Sequence, residues 1–335
     1  MSLPPHEIPL GAIRFNSQSQ RLEYWNGSIW MQINTFSPVL GESGAQGGSS
    51  GTRGLILGGY GPGTTDRVEA INIASTGNAV DFCNLNSARR DMGSASSRTR
   101  AFGLGGADND NMIQFVLFAS KADGVDFGNL GTSRRGNDGL SNSTRAVCGG
   151  GNNDAGTHYN IIEYITMSHN GDAKDFGDLT TTKTRTATGS SPTRGVFMGG
   201  APGQTNNIDY IQIASTGKAQ DIGHTEYAGG SVSGAASATR MVAGGAGSDT
   251  DMSTIQFASK GNSIEWGQML IQRTSYAGMS DCVRGVWAGG DGSPDWFANI
   301  DYFQIATGGF CHDFGDLTIK NQQTTGASNG HGGLG

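Results

Sequence analysis

Beyond residue 52, short apolar runs alternate with glycine-rich polar stretches, and the alternation has a period. An arginine, three or four mostly apolar residues and a double glycine recur six times. They read Arg53 to Gly58-Gly59, Arg100 to Gly105-Gly106, Arg145 to Gly149-Gly150, Arg194 to Gly199-Gly200, Arg240 to Gly244-Gly245 and Arg284 to Gly289-Gly290. A polar loop follows each double glycine, and then a segment that alternates apolar and polar, such as Ile208-Asp209-Tyr210-Ile211-Gln212-Ile213. A period of two predicts a strand buried on one face. Next comes a turn such as Thr76-Gly77 or Thr216-Gly217, and a third strand ending in an acidic-aromatic-glycine block. The blocks are Asp81-Phe82-Cys83, Asp126-Phe127-Gly128, Asp175-Phe176-Gly177, Asp221-Ile222-Gly223, Glu265-Trp266-Gly267 and Asp313-Phe314-Gly315. A fourth strand of small residues, as in Gly93-Ser94-Ala95-Ser96, leads into the next arginine. Four strands per unit and six units predict an all-β chain, a six-bladed β-propeller over residues 52–335.

The two ends of the array differ. Residues 324–329 repeat the small-residue strand once more, and residues 47–50 form a degenerate copy of it. The C-terminal copy is expected to join the sheet begun by Arg53, which hides both open edges. Residues 41–51 then read as a Gly/Ser linker. Residues 1–40 have another rhythm, with three short strands around Ile13, Phe15, Leu22, Tyr24, Ile29 and Ile33 and a hairpin signal at Asn26-Gly27. So small an apolar face predicts a β module for attachment or oligomerisation, with Tyr24, Trp25 and Trp30 as its aromatic anchors.

Composition narrows the function. Glycine at 56 of 335 residues suits many short strands and turns, and the formal charge of −7 provides no basic stripe for nucleic acid. No apolar run is long enough to span a membrane, so no membrane insertion is expected. Cys83, Cys148, Cys282 and Cys311 lack metal or disulfide spacing and read as free thiols. The six histidines fall at unrelated places in the repeat, so no catalytic residue, metal or cofactor is predicted. The Asp-Phe-Gly triplets look like a kinase metal motif, but their recurrence in the repeat makes them structural. Asp108-Asn109-Asp110-Asn111 offers calcium-type oxygens without the loop of a calcium site and reads as ordinary turn chemistry. The six arginines and the six acids recur in step. This leaves two readings open, a repeated arginine–carboxylate contact or two separately solvated rings of charge.

The double-glycine unit with spaced aromatics resembles the kelch-type propeller. It is closer still to a glycine-rich, kelch-like repeat of tail and virion proteins in marine and cyanobacterial phages, carried here by Thr193-Arg194-Gly195-Val196-Phe197-Met198-Gly199-Gly200 and Phe314-Gly315-Asp316-Leu317. Asp221-Ile222 departs from that pattern's Asp-Phe. Gly11-Ala12-Ile13-Arg14-Phe15-Asn16 through Trp30 resembles a module of tailed-phage fibre proteins, with Phe15 in place of tyrosine. The resemblance implies a virion structural protein made in the host cytoplasm. As a tail-fibre or appendage adhesin it would be homo-oligomeric in the particle, joined to other virion proteins through the N-terminal module, and would bind a host-surface glycan or envelope component. The alternatives are a capsid or tail decoration protein without a host ligand, and a propeller enzyme that degrades glycans. Loops after the double glycines differ between copies, whereas turns on the opposite face are short and alike. Recognition is therefore expected on the long-loop face, at Tyr60, Asp108, Asn109, Asn152, Tyr159, Gln204, Asp249 and Trp296.

Overall fold

The computed structural model describes residues 9–16, 21–32, 52–108, 110–203, 205–226, 229–245 and 249–334. The chain divides into two compact units, Met1–Leu40 and Gly41–Gly335. The expected linker at 41–51, the degenerate strand at 47–50 and Ile33 lie outside the described residues. Among the described residues the protein is all-β: seven small sheets, six of them wholly antiparallel, and no helix long and apolar enough to cross a membrane.

In the first unit β1 (Ile13–Asn16), β2 (Arg21–Trp25) and β3 (Trp30–Gln32) form one sheet in sequence order. Trp25 pairs with Trp30, so four residues separate the strands of the second hairpin instead of two. The Asn26 side-chain oxygen accepts the N–H groups of Ser28 and Ile29, which widens the turn that Asn26-Gly27 was expected to close alone. Ile29 falls in this turn, and Met31 takes its place on the sheet. Register puts Ile13, Tyr24 and Met31 in one cross-strand row, all exposed, with Phe15 exposed on the same face. Trp25 and Trp30 lie on the other face, with ring centres 5.5 Å apart and the Arg14 guanidinium 4.1 Å from the Trp30 ring. The three anticipated anchors therefore split between two faces.

The second unit holds the other six sheets. Sheet one runs Thr325–Ser328, Arg53–Leu57, Arg67–Asn72, Val80–Asn84. Its innermost strand comes from the C-terminal end, with Ala327 opposite Leu55, as the surplus copy anticipated. Sheets two to six start from the inner strands Gly93–Ser96, Asp138–Ser141, Ala187–Ser190, Gly234–Ala236 and Ala277–Ser280. Sheet five gains a parallel fifth strand, Gly309–Phe310, lent by sheet six. The apolar core lies between sheets. Leu55, Leu57 and Val68 of sheet one pack on Met92, Ala101 and Val116 of sheet two, and equivalent clusters fill each later boundary. The last boundary packs Ile56, Ile71 and Ile73 of sheet one against Val286, Ile300 and Phe314 of sheet six. Each such side chain removed from water contributes about 1.5–3 kcal/mol.

Polar bonds follow the same cycle. At the entry to each inner strand a residue adopts a left-handed conformation: Asp91, Gly136, Arg185, Ser231, Ser275 and Gln323, with φ between 50° and 64°. The Gly136 N–H donates to Asp91 O, Arg185 to Gly136, Ser231 to Arg185, Ser275 to Ser231, Gln323 to Ser275 and Asp91 to Gln323, at 2.7–3.0 Å. The series returns to its start.

The six arginines that open the repeats depart from both readings of their charge, whereas the six acids that recur in step with them stand exposed, as the solvated-ring reading had them. Each donates to a carbonyl in the turn of the next sheet: Arg53 to Phe118, Arg100 to Met167, Arg145 to Ile213 and Ala214, Arg194 to Phe257, Arg240 to Ile305 and Ala306, Arg284 to Ile73 and Ala74. Each guanidinium also covers an aromatic ring, Phe82, Phe115, Tyr164, Tyr210, Trp266 or Tyr302, at 3.8–5.3 Å. Carbonyls win because the turn presents several that no strand partner satisfies.

Buried ion pairs exist, but other residues make them. Arg134 pairs with Glu163 at 2.8 Å, Lys183 with Asp209 at 3.4 Å, and Arg273 with Asp301. Glu163 and Asp209 also accept N–H groups from the preceding sheet, at Gly131 and Thr180. In sheet two Gln114 stands at the acid's position and accepts Asn86 N–H, while Arg89 turns to Asp110. In sheet one Asn321 stands at the base's position, and burial pushes the Glu69 carboxyl above its usual range.

The Asp-Phe-Gly triplets are bulges. Register shifts at this point in every outer pairing, and Gly128, Gly177, Gly223, Gly267 and Gly315 hold φ between 143° and 153°.

Candidate functional site

The long loops and the entries to the inner strands emerge together. Asn152 bridges to Arg135, Ala201 to Thr184, Asp291 to Thr274, and Tyr60 to Gln322. Tyr60 donates its N–H to Gln322 O at 2.7 Å and accepts the Gln322 N–H at 3.0 Å, so the base of its loop is held at the hydrogen-bonded ring. Of the anticipated binding residues, the structure brings Tyr60 and Trp296 together. Their loops belong to sheets one and six, and the rings meet edge to face with centres 5.5 Å apart. Arg90 lies 5.1 Å from the Tyr60 ring centre, and Lys320 pairs with Asp295 beside Trp296. Lys320 holds the Asp295 carboxyl below its usual range.

The other anticipated residues are spread around the face. Asp108 is exposed in a left-handed turn of sheet two, with φ 67°. Asn152 and Tyr159 belong to sheet three, where the Tyr159 hydroxyl accepts Asn153 Nδ2 at 3.2 Å. Asp249 of sheet five accepts Asp251 N–H. Asn109 and Gln204 lie outside the described residues. The oxygens of the acidic run serve the fold: Asp110 pairs with Arg89 and caps Met112 N–H.

A second feature had no counterpart among the expected binding residues. The six inner strands enclose a cavity of about 90 Å³. Near its loop-face end stand Asp91, Arg185 and Asp138. The Arg185 guanidinium pairs with Asp91 at 2.8 Å, reaching over Gly136, where no side chain intervenes. Asp138 accepts the Thr186 N–H at 2.6 Å and hydroxyl at 2.9 Å through one oxygen. Burial in the wall pushes its carboxyl up to about 7, more than Thr186 and Arg185 pull it down.

Hydroxyls line the remainder. Ser94 donates to Gly326 O, Thr325 to Ser94 Oγ and Thr188 to Gly139 O, each joining adjacent inner strands at 2.7–2.8 Å. Deeper, Ser96 donates to Ser328 O, Ser141 to Ser96 O and Ser190 to Ser141 O. The segment after the last strand closes this end. His331 Nε2 lies 3.2 Å from both Ser96 O and Ser141 Oγ, and Nδ1 accepts the Gly333 N–H, an arrangement that requires a neutral ring. Burial holds His331 down at about 4. Arg98 donates to Leu334 O at 2.6 Å. One sequence signal pointed here: Asp138 occupies the position that Gly93, Ala187, Ser233, Ala277 and Thr325 fill in the other copies.

Among the described residues no group of three or more His, Cys, Asp or Glu side chains is placed to hold a metal ion. No family model matches the chain, and no curated protein is significantly similar to it.

Proposed function

We propose that the six sheets are the blades of one kelch-like β-propeller, and that the chain is a tailed-phage virion protein whose long-loop face binds a host-surface component, a glycan by its chemistry. The cyclic order of the core clusters, of the arginine–carbonyl bonds and of the backbone ring supports the propeller. The observation that carries the binding reading is the Tyr60–Trp296 pair at the junction of the first and last blades. Aromatic faces stack on the apolar face of a sugar ring, while Arg90, Lys320 and Asp295 beside them supply hydrogen bonds to hydroxyls. No step of catalysis enters this reading, so the protein acts by binding. The N-terminal sheet is its attachment module, and the exposed row Ile13, Tyr24 and Met31 is the face that a virion partner or a second copy covers.

Adsorption to host cells tests the reading. Tyr60→Ala with Trp296→Ala should fold normally and lower binding at least tenfold, whereas Tyr159→Ala on sheet three should have a smaller effect. Unchanged adsorption of the double variant removes the assignment.

A further inference from the structure

We propose that the cavity among the inner strands is a binding site for a primary ammonium group, with Asp138 as its anionic partner. This goes beyond the loop-face reading and rests on different residues.

Charge is the first argument. Asp138 lines the loop-face end of the cavity, and the nearby Arg185 guanidinium is committed to Asp91, with which it pairs at 2.8 Å. The cavity lining contains no lysine or arginine, and its remaining titratable group, His331 at the closed end, is held neutral by its own bonds. With Asp138 ionised the site lacks one positive charge, which a single cation supplies.

Hydrogen-bonding capacity is the second. Thr186 gives its hydroxyl proton to Asp138, Thr325 to Ser94, Ser94 to Gly326 O and Thr188 to Gly139 O. With those protons committed, the four hydroxyls have only lone pairs left to offer the lumen. The Ser233 hydroxyl, at the position equivalent to Asp138, lines the same cavity and can accept as well as donate. A carboxylate among these lone pairs calls for a ligand that donates in several directions and carries positive charge. An –NH₃⁺ group has three donors and no acceptor. The lining has no Phe, Tyr or Trp, so it lacks the ring faces that hold quaternary ammonium. About 90 Å³ is room for several waters or one short alkylammonium.

The full chain titrated with n-butylammonium chloride by calorimetry, at pH 6 and pH 8 and constant ionic strength, tests the proposal. The ligand stays protonated over this range, whereas a carboxyl near 7 goes from mostly acid to mostly ionised. One saturable site should appear, bound about tenfold more tightly at pH 8. Tetramethylammonium, which has no N–H, should not compete. Asp138→Asn should abolish binding while its amide oxygen still accepts both Thr186 bonds, and the pH series on the unaltered chain decides the matter without any variant. Absence of saturation, equal affinity at the two pH values, or binding retained in a folded Asp138→Asn chain would overturn the proposal. Potassium displacing butylammonium at equal concentration would show a bare cation site and overturn the ammonium assignment.

Discussion

Gly177 sits in an outer-strand bulge with φ 143°, and a Cβ there would lie 2.3 Å from the carbonyl oxygen of Gly217 in the next sheet. Gly217, on the other side of that contact, has φ 155° and open space around it. Gly177→Ala combines backbone strain with a clash against main chain and should cost about 3 kcal/mol, whereas Gly217→Ala carries the strain alone and should cost about 1 kcal/mol. Urea denaturation of the two variants checks the difference. The half-buried His331 ring ties stability to pH. Its folded value of about 4 lies below the ordinary 6.5, so the unfolded chain takes up the proton first. The stability linked to the neutral ring is complete above pH 6.5 and declines as pH falls toward 4, by on the order of 3 kcal/mol. Carboxylates add their own acid sensitivity, so the diagnostic is the difference between the native chain and His331→Gln, whose stability should fall less over this window. Parallel curves for the two chains would contradict it. Neither residue was legible in the sequence as important: the triplet glycines read only as repeat markers, and His331 as one of six scattered histidines.

Between elements, the repeated acid of the middle strand and the base at the entry to the same sheet form the costly contacts. Arg134 is fully buried, and Glu163 both neutralises it and accepts Gly131 N–H from the neighbouring sheet. Glu163→Ala leaves a buried guanidinium uncompensated and should destabilise by about 3–5 kcal/mol. Replacing Arg134 and Glu163 together by Met and Leu should cost less than Glu163→Ala alone, and a thermal or urea melt of both chains decides it. The in-step recurrence of charge was visible in the repeat, but it pointed to the wrong arginines. Arg53 and its equivalents share their phase with the Asp-Phe-Gly acids, yet their side chains reach carbonyls of the following sheet. Glu69, Gln114, Glu163, Asp209 and Asp301 looked like ordinary outward positions of an alternating strand. They are buried because another sheet packs on that face, which no period within one strand reveals.

At the scale of the whole molecule, Thr325–Ser328 supplies the inner strand of the sheet that Arg53–Leu57 begins, and Asn329 caps the Arg53 N–H at 2.9 Å. Deleting residues 324–335 should abolish the cooperative transition of the entire second unit, because it exposes the edge of sheet one and breaks the backbone ring next to Gln323. A truncated chain that melts at the native temperature would contradict this. The period of the arginine and double-glycine units by itself determined the all-β class and the number of repeated units, because strand alternation and turn glycines are local properties of the chain. Which of the two terminal copies of the small-residue strand joins Arg53–Leu57 was decided only by the tertiary structure. The tertiary structure alone decided which side chains meet. It joined Tyr60 to Trp296 across most of the length of the second unit, brought Asp91, Asp138 and Arg185 from three successive sheets to one end of the cavity, and folded the segment after the last strand into the other end. These meetings depend on how one sheet stacks on the next, and the spacing of residues along a strand carries no record of that geometry.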